Sequence, residues 1–360
     1  MPSEFDLIRQ YFTRPTPSAL LGVGDDAALL QVSPGMELAV SVDMLVEGRH
    51  FSPQDGPGTV GHKSLAVNLS DMAAMGAAPR WATLALALPA ADEKWLRGFA
   101  GGFFGLASKF GVELIGGDTT RGPLNICIQI MGEVPAGQAL RRDGAKPGDE
   151  IWVSGTLGTA ALALAFRQGR VELEQMEAAA CLPSLYVPQP RVALGLALRG
   201  IASAAIDISD GLLADLGHIL EQSQVGAEIH FEALPLHEVT RRHINPLSPS
   251  SLPVTGAPAR DVPAGIGGKA AQSGEKRDMD SLREAQVIVA KTCVLAGGDD
   301  YELCFTAPAA RHAELLALAN RLVLPLSCIG RITGEAGLAV LDGKGHPMPV
   351  EVKGFDHFAQ

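Results

Sequence analysis

The chain has 360 residues, 47% of them hydrophobic, and a formal net charge of −11 from 29 Lys and Arg against 40 Asp and Glu. That length and apolar content predict two domains. The acidic balance argues against a nucleic-acid groove or an anionic membrane surface, and a phosphate ligand would need metal ions to mediate.

Residues 4–12 carry Phe5, Ile8 and Phe12 at helical spacing, and the runs AALLQV and ELAVSVDML then read as short strands. An amphipathic helix is expected over 59–76, ending at Gly76, then a buried strand WATLALALP, a helix over 92–110, a strand VELIGG and a strand LNICIQIMGEV. Turn formers concentrate in PAGQALRRDGAKPGDE, which places a domain boundary there: 1–137, then 138–360. The second unit opens on the strand IWVSG. It continues with helices near 157–168 and 190–199, the strand SAAIDIS, the helix DGLLADLGHILEQS and the strand YELCFTA. Both halves mix α and β. Residues 245–277, rich in Pro, Gly, Ser and Ala, read as a flexible surface insertion, with an ordered lid as the alternative.

No apolar run reaches the roughly 18–20 residues of a membrane span, and the N-terminal MPSEFDLIRQYF lacks the basic-then-apolar order of a signal peptide. Cys127, Cys181, Cys293, Cys304 and Cys328 are scattered, with no C-x-x-C, and read as reduced core residues. Together these features point to the cytoplasm.

The stretch GVGDDAALL begins as G-x-G-x-x-A, close to a dinucleotide-binding turn, and Asp43 follows at about the spacing of a ribose-binding acid. Its context is wrong, because it lies between a loop and a strand instead of opening a helix. Asp25 and Asp26 would also repel a pyrophosphate placed directly on the turn. The run GPGTVGHKS at Gly56–Ser64 imitates a phosphate loop but is not one, since His62 separates Gly61 from Lys63.

The aspartates carry the chemistry. Asp25 and Asp26 follow Gly24; Asp43 closes SVDML; Asp118 follows Gly116 and Gly117; Asp207 and Asp210 bracket a strand-to-helix junction; Asp299 and Asp300 follow Gly297 and Gly298. Any one reads as a turn-closing Asp. Recurring at strand ends, they predict carboxylates converging on one rim, where repulsion calls for hard cations such as Mg²⁺. Asp71 sits within a helix, beside Asn68 and among apolar neighbours, and is expected to face inward. Asp210 also reads as an N-cap, with Ser209 competing. Arg121, Arg141, Arg142 and His50 are candidates to meet phosphate. The residues alone leave three readings open: a metal-dependent phosphate enzyme, a dinucleotide oxidoreductase, and a non-catalytic cation-binding protein.

Taken in order, GVGDDAALL, AVNLSDMAAMGA, LIGGDTTRGP, IDISDGL, GGDDYELCF and the terminal GFDHF resemble the thiamine-monophosphate kinase family of the aminoimidazole ribonucleotide synthetase superfamily, across nearly the whole chain. The resemblance implies a two-domain α/β architecture whose N-terminal domain binds ATP and metal and dimerises through its sheet. It implies ATP-dependent phosphorylation of thiamine monophosphate to thiamine diphosphate with several Mg²⁺ ions. Carried over by position, it implies metal ligands at Asp26, Ser41, Asp43, Asp71, Asp118, Asp207 and Asp210. Nucleotide contacts fall on Gly117, Asp118, Arg142 and Ser209, and thiamine-phosphate contacts on His50, Asp299 and Phe355. Asp71, Asp118, Arg142 and Asp210 are the expected catalytic set.

Three departures stand out. Val42 replaces a Thr common in the family, Asp299 replaces the usual Glu, and the insertion before LAGGDDYEL is unusual.

Overall fold

A computed structural model describes residues 3–245 and 271–350, with backbone alone over 271–283. The chain begins with α1 (Glu4–Leu7), capped by Ser3 and continued by a π-helical turn at Ile8–Phe12. Leu7, Tyr11 and Phe12 are its buried face, while Phe5 is 68% exposed, so the helix is there but turned from the expected stripe. AALLQV is not a strand. It makes only isolated bridges, such as Leu21 with Leu29, because Ala28 and Leu30 lie over the sheet and pack on Trp81, Ile115 and Met131.

Four strands form the first sheet: β1 (Met36–Val46), β2 (Ala78–Leu88), β3 (Glu113–Arg121) and β4 (Asn125–Pro135), in the order β1-β4-β2-β3. Helices α2 (Pro57–Ala74) and α3 (Glu93–Phe110) join this layer. Proline at the first turn of α2 and Asp92 capping α3 set their starts, and Gly111, in the left-handed region, ends α3. The side chains of Leu84, Leu86, Ile126, Ile128 and Ile130 share one core with Leu65, Leu69, Phe99 and Phe103 of the helices.

The second sheet has six strands in the order β10 (Gly337–Leu341), β7 (Gly226–His230), β9 (Leu326–Thr333), β5 (Asp149–Ser154), β8 (Leu303–Pro308) and β6 (Ala204–Asp207). In chain order its elements are β5 (Asp149–Ser154), α4 (Thr159–Arg167), α5 (Gln175–Tyr186), α6 (Val192–Ala197), β6 (Ala204–Asp207), α7 (Leu212–Ser223), β7 (Gly226–His230) and α8 (Glu238–Ile244). After them come α9 (Ala271–Ala296), β8 (Leu303–Pro308), α10 (His312–Leu322), β9 (Leu326–Thr333) and β10 (Gly337–Leu341). The fold is mixed α/β, as expected. Of the expected insertion, residues 246–270 lie outside the described residues, and the last seven, 271–277, belong to α9.

Helix α2 joins the two halves. Its Ala73 carbonyl runs so close to Gly195 of α6 that a Cβ there would sit 2.0 Å from it, so only glycine lets the two helices touch. The core around α2 continues into Trp152, Leu194, Leu198 and Phe305 of the second half. Among the described residues no helix is long and apolar enough to cross a membrane, and all five cysteines are free thiols.

Candidate active site

Asp71 lies on α2 where that helix passes between β1 and β6. Ser41, on β1, donates its hydroxyl to Asp71 Oδ2 at 2.5 Å. Asp43 follows two residues along the same edge strand, and Asp207 ends β6 from the other half. Asp43, Asp71, Asp207, Ser209 and Asp210 line one cleft of about 920 Å³, together with His50 and Asp299. The inward placement expected of Asp71 is what its geometry shows. Asp43, however, is not at a strand end but well inside β1, and Asp118 is inside β3. Ser41 and Asp43, two residues apart, share one face of β1, the face turned toward Asp71 of α2 and the cleft, which is why these positions are polar.

The carboxylates disturb one another. Burial, then Asp71 and Asp210, push Asp43 up to about 7. Asp207, buried, is held above the usual carboxylate range by desolvation and then by Asp71, with Asp215 and Asp43 adding to it and Ser70 opposing. Asp71 is also raised by burial, against the pull of the Ser41 hydroxyl and of Arg142. The neighbouring Arg141 instead forks onto Asp143 on the surface, through Nε to Oδ1 at 2.9 Å. Arg142 is exposed and is not among the residues lining the cleft, so of the predicted nucleotide contacts only Ser209 stands there, and Arg142 reaches Asp71 through its charge alone.

Among the described residues no three carboxylate, imidazole or thiolate groups come together to hold a metal unaided. The donor set is nonetheless all oxygen, and it is short of positive charge. A hard cation held by one or two carboxylates and completed by phosphate oxygens fits that chemistry.

Two residues escaped the sequence reading. Asp215, buried in the first turn of α7, accepts the backbone N–H groups of Ser209, Asp210 and Gly211 on one oxygen, each at 3.0 Å. It fixes the loop that carries Asp210. Lys63, 5% exposed, places Nζ 3.0 Å from Asp299 Oδ1. The first signal was an Asp within an N-terminal turn, easily read as a mere cap; the second was hidden inside the false phosphate loop.

The run GGDDYEL divides its labour. Asp299 faces the cleft, Asp300 accepts the Gly158 N–H at the start of α4 at 2.8 Å, and Tyr301 donates to Asp299. Glu302 is buried and pairs with Arg191 and Ser154. His50 takes the Val46 N–H on Nδ1 at 2.9 Å, which leaves the proton of a neutral ring on Nε2.

Asp26, Gly117 and Asp118 are not in that cleft. They line a second cavity of about 820 Å³, beside Gly24 and Thr83. The loop carrying Asp26 is held there by Trp81 Nε1 donating to Ser18 at 2.8 Å, and by the Ser18 N–H on Glu113. At Gly117 a Cβ would meet the Leu84 carbonyl at 1.9 Å, so the close strand contact demands glycine. Registered across the sheet, Asp43 faces Ile128, Ile128 faces Leu84, and Leu84 faces Gly117. Three strand spacings, about 14 Å, thus separate Asp43 from the Gly117–Asp118 pair within one chain. Phe355 lies outside the described residues.

Two family models match the chain: AIR synthase related protein, N-terminal domain, over residues 24–134, and AIR synthase related protein, C-terminal domain, over 146–343. The chain is 42% identical over 360 residues to the thiamine-monophosphate kinase of Escherichia coli strain K12, covering 99% of this chain and 98% of that one. The crystal structure of thiamine-monophosphate kinase from Stenotrophomonas maltophilia K279a superposes with a TM-score of 0.74 at 44% identity, over 92% of this chain and 93% of that one. AaThiL complexed with AMPPCP and TMP superposes with a TM-score of 0.68 at 28% identity, over 91% and 89%.

Proposed function

The chain belongs to the thiamine-monophosphate kinase family, and from that premise we propose that it transfers the γ-phosphoryl group of ATP to the phosphate of thiamine monophosphate, giving thiamine diphosphate and ADP. One observation carries this reading to the residues: Asp43, Asp71, Asp207 and Asp210 share a cleft with His50 and Asp299, so a polyphosphate end and an acceptor end meet in one space. Asp26, Ser41, Asp43, Asp71, Asp118, Asp207 and Asp210 would hold Mg²⁺, with Gly117, Asp118, Arg142 and Ser209 on the nucleotide. His50, Asp299 and Phe355 would hold the acceptor. Bound Mg²⁺ supplies charge neutralisation and alignment of the phosphates.

The acceptor is a phosphate monoester, already largely ionised near neutral pH, so no side chain need remove a proton. An oxygen of that phosphate forms the new bond to the γ-phosphorus as the bridge to ADP breaks, and the electron pair leaves with ADP. Arg142 contributes fixed positive charge, and Asp215 keeps the Ser209–Gly211 backbone in place. The aspartates act as ligands, not bases. Val42 removes a side-chain hydroxyl from the ligand set, leaving Ser41 to serve alone.

The division of the chain at residues 137/138 and a homodimer belong to the same reading. Leu38, Val40, Val42 and Met44 are exposed along one face of β1, an edge strand. Covering this stripe with a second copy's sheet supports dimerisation. If the β1 edge of one copy meets the β3 edge of the other, the partner's carboxylates can enter the cleft that the 14 Å separation denies to one chain's own. The free thiols support a reducing compartment such as the cytoplasm.

An acceptor screen tests the reading. With ATP and Mg²⁺, ADP should form with thiamine monophosphate and not with thiamine or aminoimidazole precursors. ADP formation with an aminoimidazole substrate alone would move the chain elsewhere in the superfamily.

A further inference from the structure

Lys63 reaches the wall where two spaces meet. The 920 Å³ cleft and a neighbouring chamber of about 330 Å³ share His50, Lys63 and Asp299, and the chamber adds Phe51 and Tyr186. Lys63 is nearly inaccessible; its ammonium lies 3.0 Å from Asp299 Oδ1 and donates to the His50 carbonyl at 3.4 Å. The Tyr301 hydroxyl donates to the same Oδ1 at 3.1 Å, and the Asp299 N–H bonds to the Ser209 carbonyl at 2.9 Å. Asp299 itself stands at φ +69°, a left-handed conformation that Asp tolerates better than most side chains. Its backbone and one oxygen are thus fixed. Among the described residues both side-chain contacts fall on Oδ1, which leaves Oδ2 for a ligand.

A carboxylate oxygen repels phosphate and accepts from N–H. The ligand end it reads is therefore one that donates N–H, which in thiamine monophosphate is the ring amine, and the phosphate end lies toward Asp43 and Asp71. Lys63 is no phosphate anchor, because its charge is matched by Asp299. We propose that Lys63 is a positioning residue that sets acceptor specificity, pinning Oδ1 of Asp299 so that Oδ2 is presented to the ring amine of the acceptor. This rests on thiamine monophosphate being the acceptor. The pinning also accounts for an Asp serving where the family commonly has Glu: the shorter side chain needs a fixed aim.

Steady-state kinetics on the full chain tests it, with thiamine monophosphate and an analogue whose pyrimidine amine is replaced by hydroxyl. Lys63→Met should raise KM for thiamine monophosphate about tenfold or more, leave KM for ATP within about twofold, and shrink the preference for the amino over the hydroxy acceptor by at least about fivefold. Lys63→Gln, which keeps an uncharged donor one bond shorter and so a polar group in the buried site, guards against misfolding and should show the same split at reduced size. If both acceptors and ATP weaken together, Lys63 is merely structural and the proposal falls. It falls equally if neither variant changes the acceptor preference. A wild-type chain without activity on thiamine monophosphate would instead overturn the acceptor assignment beneath it.

Discussion

The carboxylate of Asp215 holds the backbone of Asp210 at 3.0 Å, and its same oxygen takes the N–H groups on either side. Burial nevertheless outweighs these three bonds and raises Asp215 to about 6. Asp215→Asn, which keeps an oxygen acceptor and sheds a charge the interior disfavours, should be nearly neutral for stability at pH 7. Asp215→Ala strands buried N–H donors and should cost about 2–4 kcal/mol, read as a lower urea midpoint at unchanged m. Equal losses in the two variants would show that charge, not hydrogen-bond satisfaction, holds the loop.

Asp71→Asn and Asp118→Asn should each abolish turnover while the circular dichroism spectrum and melting temperature stay close to wild type. Each removes one negative charge from a position assigned to metal, and Asp118 is exposed on β3, where no packing depends on it. Near-normal rates at saturating Mg²⁺ would take that residue out of the ligand set.

The 14 Å between Asp43 and the Gly117–Asp118 pair makes a sharper test. In a site shared across a homodimer, mixing Asp43→Asn with Asp118→Asn chains yields heterodimers with one doubly damaged site and one intact site. Random assortment should then restore about a quarter of wild-type activity from two inactive proteins. Activity that stays at the level of the separate mutants would assign both residues to a site within one chain.

Much of this was legible in the sequence, and the failures have physical causes. Helices α3 and α7 and the strands around Leu84 and Ile128 follow apolar periodicity, which local burial enforces, whereas α2, expected to be amphipathic, is buried on most of its circumference because both halves of the chain pack on it. Asp43 and Asp118 were misplaced to strand ends because Gly and Asp beside apolar runs look like turns. In the fold, Gly117 serves the close approach of Leu84 instead, and Asp43 shares with Ser41 the face of β1 that looks into the cleft. Strands β7, β9 and β10 pair non-locally, with β7 parallel to β10 and antiparallel to β9, a relation that no short window contains. Spacing named most of the cleft's aspartates but could not show that Asp26 and Asp118 stand apart from them, since separation across a sheet is set by strand order. Lys63 was invisible for the same reason, as its partner lies 236 residues away in sequence.

Asp43 gives a stability signature without metal. Its folded pKa, about 7, lies above its ordinary 3.8, so between these pH values the folded chain holds more protons than the unfolded one. Stability must then fall as pH rises through that window and level off above it. In EDTA, wild type should lose melting temperature from pH 4 to pH 7 more steeply than Asp43→Asn, the two converging at about pH 4 and below and the variant being the more stable above pH 7. Parallel curves would mean that neither burial nor the neighbouring carboxylates disfavour the charged form of Asp43.

The last prediction separates a substrate that is its own nucleophile from a protein base. If Asp210 removed a proton from the acceptor, the acid limb of kcat/KM would carry an enzyme pKa and would move when that residue is altered. If the acceptor phosphate attacks directly, the limb reports the second ionisation of thiamine monophosphate, about 6 for a monoester, together with the groups that bind metal. A phosphorothioate acceptor ionises at lower pH. With chemistry and binding still limiting the rate, it should shift the limb downward, while aspartate variants that retain residual activity keep the wild-type limb. Burial already holds Asp43 and Asp207 protonated to higher pH than usual in the metal-free chain, so the comparison belongs at saturating Mg²⁺, where their titration no longer shapes the limb. A limb that ignores the analogue yet moves with Asp210→Asn would restore a carboxylate base and end the metal-and-charge account of catalysis.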